Sequence, residues 1–122
     1  MREILFRGKS LLNKDKEWIY GSLIHNYPQG CYISVFDMFT DIQKEYPVFS
    51  PTIGQFTGLL DKNGNKIFEG DIVKTESDKP MVVSWNIKFA SFCLDRNGRS
   101  FSHWFGESTD PAKCEVIGNI HD

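Results

Sequence analysis

Several features that identify common functional classes are missing from this sequence of 122 residues. No stretch approaches the roughly 18 consecutive apolar residues that a membrane-spanning helix needs. The three cysteines, Cys31, Cys93 and Cys114, are odd in number and lack C-x-x-C spacing, so neither a disulfide framework nor a zinc site with paired ligands is expected. We therefore expect a cytoplasmic protein with reduced, buried thiols, and with no metal, no other cofactor and no membrane contact.

An excess of charge of one sign is also missing. The 14 basic and 16 acidic residues leave a net charge of -2, whereas dedicated binders of nucleic acid or of a membrane surface carry a positive excess. Arg2, Glu3 and Arg7 interrupt the first apolar run, which is not typical of a signal peptide. The chain contains no phosphate-binding glycine loop, no G-x-S-x-G elbow and no H-E-x-x-H motif, so we predict that it is not an enzyme.

Aromatic residues, by contrast, are abundant: 10 Phe, 4 Tyr and 3 Trp. They occur with β-branched residues in short runs, separated by turn-forming residues. Residues 17–24 and 31–36 are two such runs, and we predict that they form one antiparallel hairpin. Short strands that recur at this spacing predict a mainly β fold, namely a small antiparallel barrel or sandwich.

The region around residues 37–54 permits two interpretations. Asp37 suits a helix N-cap, with Met38 and Ile42 on one helical face, but an extended segment fits nearly as well. Ser50 followed by Pro51 favours a single helical turn. We expect at most one short helix or helical turn in this region.

Two turns in the second half combine carboxylates with glycines. Asp61 and Gly64 belong to the turn DKNGN, in which Asn-Gly tolerates the positive φ of a tight hairpin. Gly70 and Asp71 form another turn, where the carboxylate would cap the backbone. Glu69 and Asp71 could also be an acid–base or metal pair, but no His or third acid lies nearby in the sequence, so the structural role is favoured.

Four landmarks, in order, resemble the YopX family of phage and prophage proteins. ILFRGK at residues 4–9, followed by EWIYG, is similar to the family's opening FRGK-type element, and TIGQFTGL at 52–59 is similar to its TVGQYTGL element. DKNGNKIFEGDIV at 61–73 resembles the family signature DKNGKEIYEGDIV, and CEVIGNI at 114–120 resembles the closing VIGNI element. The resemblance covers nearly the whole chain.

This resemblance implies a mainly β fold with an SH3-like small barrel in the C-terminal half, and self-association into a small oligomer. We predict a single YopX-like domain over residues 1–122, with an N-terminal hairpin region at 1–50 and a barrel region at 51–122. The family has no assigned activity, so no catalytic or cofactor-binding residue is carried over.

The first function hypothesis is a non-enzymatic phage or prophage accessory protein in the cytoplasm of a bacterial host. It would act through contacts with copies of itself and with a phage or host protein. Because aromatic residues dominate interface energetics, Trp18, Tyr20, Trp104 and Phe105 are the candidate interface residues. The alternative is a nucleic-acid-binding small β-barrel that uses basic residues near the N-terminus and stacking aromatics.

Overall fold

The structure is a computed structural model that describes residues 3–12, 17–26, 30–76, 79–88, 90–96, 99–102 and 110–122. These residues confirm the predicted fold class, because they are mainly strands in antiparallel sheets. The chain divides into two compact units, Met1–Gln55 and Phe56–Asp122. Among the described residues, no helix has the length and apolar character that crossing a membrane requires.

The strands of the first unit pair in a closed cycle. They are β1 (Phe6–Ser10), β2 (Trp18–Asn26), β3 (Gly30–Asp37) and the first part of β4 (Ile42–Leu60). Each strand is antiparallel to the next, and β4 returns to pair with β1. The hairpin predicted over residues 17–36 is therefore confirmed as β2 and β3. Among the described residues of this unit, the buried hydrophobic side chains are Ile33 and Val48.

Strand β2 changes its pairing partner at Gly21. This glycine pairs with Phe6 of β1, whereas the next residue, Ser22, pairs with Ser34 of β3. A Cβ at Gly21 would lie 2.2 Å from the backbone oxygen of Ser34, so a side chain at this position would collide with β3. Beyond this point residues 35–37 of β3 pair with residues 42–44 of β4, and together with the turn between them they form a two-stranded arm, residues 35–44.

The helix considered after Asp37 is wrong. Asp37 ends β3, residues 38–41 form the turn of the arm, and β4 begins at Ile42. Asp41 closes this turn with a φ of 56°, a left-handed conformation that Asp tolerates better than most residues. The short turn joins two strands that are already paired, so the segment has no room for a helix.

The helical turn predicted at Ser50 is also wrong, because the segment lies within β4. The β1–β4 register shifts here, so that Lys9 pairs with Phe49 and Arg7 with Gly54. The Thr52 hydroxyl accepts a hydrogen bond from the Lys9 backbone N–H (2.8 Å) and donates one to the Phe49 carbonyl (2.5 Å). Thr52 thus satisfies backbone groups of an irregular sheet instead of those of a helix.

The second unit contains the end of β4, which pairs with β5 (Lys66–Phe68), and a separate five-stranded antiparallel sheet. The other elements of this unit are β6 (Asp71–Lys74), β7 (Pro80–Asn86), β8 (Ser91–Arg96), β9 (Arg99–Ser102), a 3-10 turn (Pro111–Lys113) and β10 (Glu115–Asn119). The five-stranded sheet has the strand order β10-β6-β7-β8-β9, in which β10 adds to β6 at the edge of the consecutive strands β6–β9. Its core is Ile67, Val73, Val83, Leu94 and Cys114, all buried. The SH3-like form of this half stays a prediction.

Candidate interaction surface

One face of β1 and β2 brings two of the predicted interface residues together. Lys9 pairs with Trp18, and Arg7 pairs with Tyr20. Since alternate residues of a strand share a face, these four side chains lie side by side. We call Arg7, Lys9, Trp18 and Tyr20 the basic face, because neither β1 nor β2 contains an Asp or Glu.

Two cations contact the indole ring of the basic face. The Arg7 guanidinium carbon lies 4.3 Å from the Trp18 ring centre, and the Lys9 Nζ lies 4.7 Å from it. Such contacts contribute on the order of 0.5–2 kcal/mol, more when the cation is desolvated. Arg7 is buried, whereas 46% of Tyr20 is exposed. The Arg7 side chain is therefore covered, and Tyr20 is the exposed aromatic of this face.

The turn of the β3–β4 arm carries a second exposed surface, which the sequence analysis did not identify. We call residues 36–42 the hairpin tip. The exposed fraction is 55% for Phe36, 82% for Met38, 101% for Phe39 and 50% for Ile42. The sequence-based alternative of a helix placed Met38 and Ile42 on one helical face, whereas Phe36 was predicted to end the second strand of the hairpin. The sequence feature that could have indicated this surface is the apolar pair Met38 and Phe39, which lies between Asp37 and Asp41.

The aspartates of the hairpin tip give it a negative charge. Asp37 Oδ1 accepts a hydrogen bond from the backbone N–H of Phe39 (2.9 Å), and this bond is the main cause that lowers the pKa of the Asp37 carboxyl. Asp37 is therefore ionised at neutral pH. Asp41 is the second acid of the segment, which contains no Lys or Arg. The hairpin tip is thus apolar and acidic.

The other two predicted interface residues, Trp104 and Phe105, lie outside the described residues. A further exposed aromatic, Trp85, stands at the end of β7 in the second unit. Its ring packs against Phe92 in an edge-on contact with 5.0 Å between ring centres. Ile87 follows in the adjacent turn and is 86% exposed.

Asp61 connects its own turn to the last strand. Its Oδ1 accepts hydrogen bonds from the backbone N–H groups of Asn63 (2.9 Å) and Asn65 (2.8 Å), and its Oδ2 accepts one from that of Val116 (3.0 Å). Burial alone would raise the pKa of the Asp61 carboxyl, but these bonds together outweigh burial and lower that pKa. Gly64 completes the turn with a φ of 80°.

Asp71 makes an equivalent connection at the start of β6. Its Oδ2 accepts a hydrogen bond from the backbone N–H of Phe68 (2.8 Å), and its Oδ1 accepts one from the side-chain amide of Asn119 (3.1 Å). Gly70, with a φ of 89°, donates its N–H to the Val83 carbonyl and accepts from the Ile120 N–H. The buried carboxylate thus joins the second turn to the closing strand.

This geometry bears on the alternative in which Glu69 and Asp71 form a metal or acid–base pair. Gly70 bends the chain between them, so the two residues do not share one face of a continuous strand. Both oxygens of Asp71 already accept hydrogen bonds. Across the described part of the chain, no three His, Cys, Asp or Glu side chains are grouped closely enough to hold a metal ion.

A cleft of ≈ 230 Å³ in the second unit is lined mostly by charged side chains. Among its lining residues, ion pairs of 3.4 Å join Lys62 to Glu115 and Lys113 to Glu76. Such exposed pairs contribute about 0–1 kcal/mol each. The lining residues are Lys62, Lys74, Thr75, Glu76, Lys113 and Glu115.

Comparison with known families places these features in context. The sequence matches the family described as "YopX protein" over residues 6–122. The chain belongs to the YopX family. This YopX chain is also similar to a solved structure, protein EF1440 from Enterococcus faecalis, with 21% sequence identity and a TM-score of 0.55. The likeness covers 99% of this chain and 95% of that one, and it shows a shared fold. No curated protein matches the sequence significantly.

The longest YopX landmark therefore has a structural explanation. Its two aspartates, Asp61 and Asp71, each hydrogen-bond to the closing element of the family, at Val116 and Asn119. These contacts join residues that are 55 and 48 positions apart in the sequence. The signature thus contains the two carboxylates that hydrogen-bond the turns of the second unit to its closing strand.

Proposed function

We propose that this protein is a non-enzymatic accessory protein of phage or prophage type, which acts through protein–protein contacts and forms a homo-oligomer. The observation that carries the proposal is the hairpin tip, where four large apolar side chains are at least half exposed. Large contiguous apolar patches are uncommon on monomeric soluble proteins and mark interaction sites. The proposed location is the cytoplasm of a bacterial host, and a phage or host protein is a further partner.

The proposal of a non-enzymatic role is supported by the positions of the carboxylates. Glu69 and Asp71 are the acids that the sequence offered as a possible chemical pair, and Asp71 is buried. Its oxygens accept hydrogen bonds from the backbone N–H of Phe68 and from the side-chain amide of Asn119. A general acid or base needs a lone pair or proton directed at a substrate, and Asp71 directs its oxygens into the fold.

The first experiment is a measurement of molar mass in solution, by size-exclusion chromatography with light scattering at low salt. The chain has a mass of 14.1 kDa, and we expect a larger mass that increases with protein concentration. A mass of one chain over the whole range from micromolar to several hundred micromolar would contradict the proposed homo-oligomer.

Nucleic-acid binding is the second candidate function, and the basic face is the observation that favours it. Basic side chains beside aromatic rings are typical of single-strand binding surfaces. It ranks second because Arg7 is buried and because both cations already contact the Trp18 ring. The test is the anisotropy of a labelled oligonucleotide at low and moderate salt. We expect affinity that falls steeply with salt if this function is correct, and no binding at low salt would exclude it.

A further inference from the structure

The turn at residues 61–65 of the second unit contains a sequence with a chemical reactivity of its own. Asn63 is followed by Gly64, and both residues are exposed. Asparagine before glycine loses its side-chain amide more readily than before other residues, because glycine has no side chain to hinder attack by its backbone nitrogen. A Cβ built on Gly64 would meet no atom within 4 Å, so the surroundings of this position are open to water.

This reaction, deamidation, is an intramolecular displacement followed by hydrolysis. The backbone nitrogen of Gly64 attacks the side-chain carbonyl carbon of Asn63 and closes a five-membered succinimide ring. The bond from that carbon to the amide nitrogen breaks, and ammonia leaves with the proton of the Gly64 N–H. Water then opens the ring at either of its carbonyl carbons, which yields aspartate or isoaspartate at position 63.

The turn holds the attacking nitrogen in a hydrogen bond. The Gly64 N–H donates to the Asp61 backbone carbonyl (3.0 Å). The neighbouring N–H groups of Asn63 (2.9 Å) and Asn65 (2.8 Å) donate to Asp61 Oδ1, which fixes the chain on both sides of Gly64. The Gly64 nitrogen must give up its proton and reach the Asn63 side chain to react, so its bond to the Asp61 carbonyl has to break first. The negative Asp61 carboxylate also opposes the negative charge that develops on this nitrogen.

We propose that Asn63 is a latent deamidation site, which the turn at residues 61–65 protects in the folded chain and releases when the turn opens. Because local opening precedes the chemistry, the reaction rate reports the fraction of molecules in which the turn is open. Isoaspartate at position 63 adds one carbon atom to the main chain between the two N–H groups that donate to Asp61 Oδ1. A turn that has reacted in this way does not close in its original geometry, so its opening becomes irreversible.

The test compares deamidation at Asn63 in two variants of Asp61, in the full chain at mildly alkaline pH. Asp61→Ala removes the acceptor of both turn bonds, whereas Asp61→Asn retains an amide oxygen that can accept them. Both variants lose the hydrogen bond to the Val116 N–H, so their comparison separates the turn from the long-range contact. Tandem mass spectrometry locates the modified residue by the mass difference between an amide and a carboxyl group, and circular dichroism verifies that the variants are folded.

We expect Asn63 of the native wild type to deamidate about tenfold more slowly than in the chain unfolded by guanidinium chloride. Under native conditions, Asp61→Ala is expected to react about tenfold faster than the wild type, a factor that corresponds to about 1.4 kcal/mol. The rate of Asp61→Asn is expected to lie closer to that of the wild type than to that of Asp61→Ala. The comparison of native with unfolded wild type decides the proposal even where Asp61→Ala does not fold.

Three results would overturn the protection by the turn. The first is an equal rate at Asn63 in native and unfolded wild type. The second is a folded Asp61→Ala that reacts no faster than the wild type or than Asp61→Asn. The third concerns the other Asn-Gly sequence, Asn97–Gly98, which lies outside the described residues and is measured in the same digests. An equal acceleration there in Asp61→Ala would show that the whole chain has loosened.

Discussion

Replacement of Asp61 by Ala tests whether the YopX signature is a structural connection. The carboxylate is 4% exposed and accepts three backbone hydrogen bonds. Without it, the N–H groups of Asn63 and Asn65 regain water, because both residues are exposed. The N–H of Val116 lies further inside and loses its partner, which costs about 1–3 kcal/mol. With a smaller loss from the turn bonds, we expect Asp61→Ala to lower the free energy of unfolding by about 2–4 kcal/mol.

The assay is chemical and thermal denaturation at pH 7, followed by circular dichroism. For a chain of this length, the expected decrease in Tm is on the order of 10 °C. Asp61→Asn isolates the long-range contact, because its amide oxygen can still accept the two turn bonds while its amide nitrogen faces the Val116 N–H. We expect Asp61→Asn to lower the free energy of unfolding by about half as much as Asp61→Ala. Asp110→Ala is the exposed control, since Asp110 only caps the 3-10 turn through the Ala112 N–H. If both Asp61 variants remain within about 0.5 kcal/mol of the wild type, the structural explanation fails.

The dependence of stability on pH gives a second measurement of the same contact. The pKa of the Asp61 carboxyl is lower in the folded chain than its ordinary value of 3.8, so the unfolded chain binds the proton more tightly. The stability from Asp61 is therefore fully present above about pH 4 and is lost as the pH falls through the pKa of the folded state. Asp61→Asn should remove this part of the acid dependence. An unchanged difference between the wild type and Asp61→Asn from pH 6 to pH 2 would contradict the cause given for the shift.

Three further predictions concern the second unit. Gly70→Ala is expected to lower Tm more than Gly64→Ala. Both glycines have a positive φ, which costs about 1–2 kcal/mol for a residue with a Cβ. The difference arises because a Cβ at Gly70 would lie 3.2 Å from the side-chain nitrogen of Asn119, whereas a Cβ at Gly64 would meet no atom within 4 Å. A reversed order in thermal melts would show that the close contact at Gly70 has no effect. Titration with Mg²⁺ or Zn²⁺ should leave Tm unchanged, since both Asp71 oxygens are engaged, and a rise of several degrees would restore the metal alternative. Burial, and to a smaller extent nearby carboxylates, raises the pKa of the Cys114 thiol. We therefore expect an alkylating reagent at about pH 8 to modify Cys114 only after denaturation, and peptide mass spectrometry would detect the modified cysteine. Rapid labelling of the native protein would contradict its burial.

The sequence by itself determined the features that depend on neighbouring residues. The β2–β3 hairpin and the turn containing Asp61 and Gly64 follow from side-chain alternation and from the φ angles that particular residues tolerate. These are local preferences, so a single sequence expresses them directly. Cys93 and Cys114 are buried free thiols as predicted, whereas Cys31 is a free thiol that is only half-buried. The helical turn at Ser50 failed because its local preference competed with pairing to β1, which sequence spacing does not encode.

Only the tertiary structure decided which distant residues meet. The sequence identified Trp18 and Tyr20 as aromatic candidates, but the β1–β2 register is what places Arg7 and Lys9 against them. The hairpin tip is exposed because the pairing of β3 with β2 ends at Ser34, so that the following residues of β3 pair only with β4 in the described structure. Register and strand exchange depend on the summed packing of all strands, and a short sequence window contains no such information. For that reason the chain's own sequence predicts its fold class, while the surfaces proposed for its function emerge only from the assembled sheet.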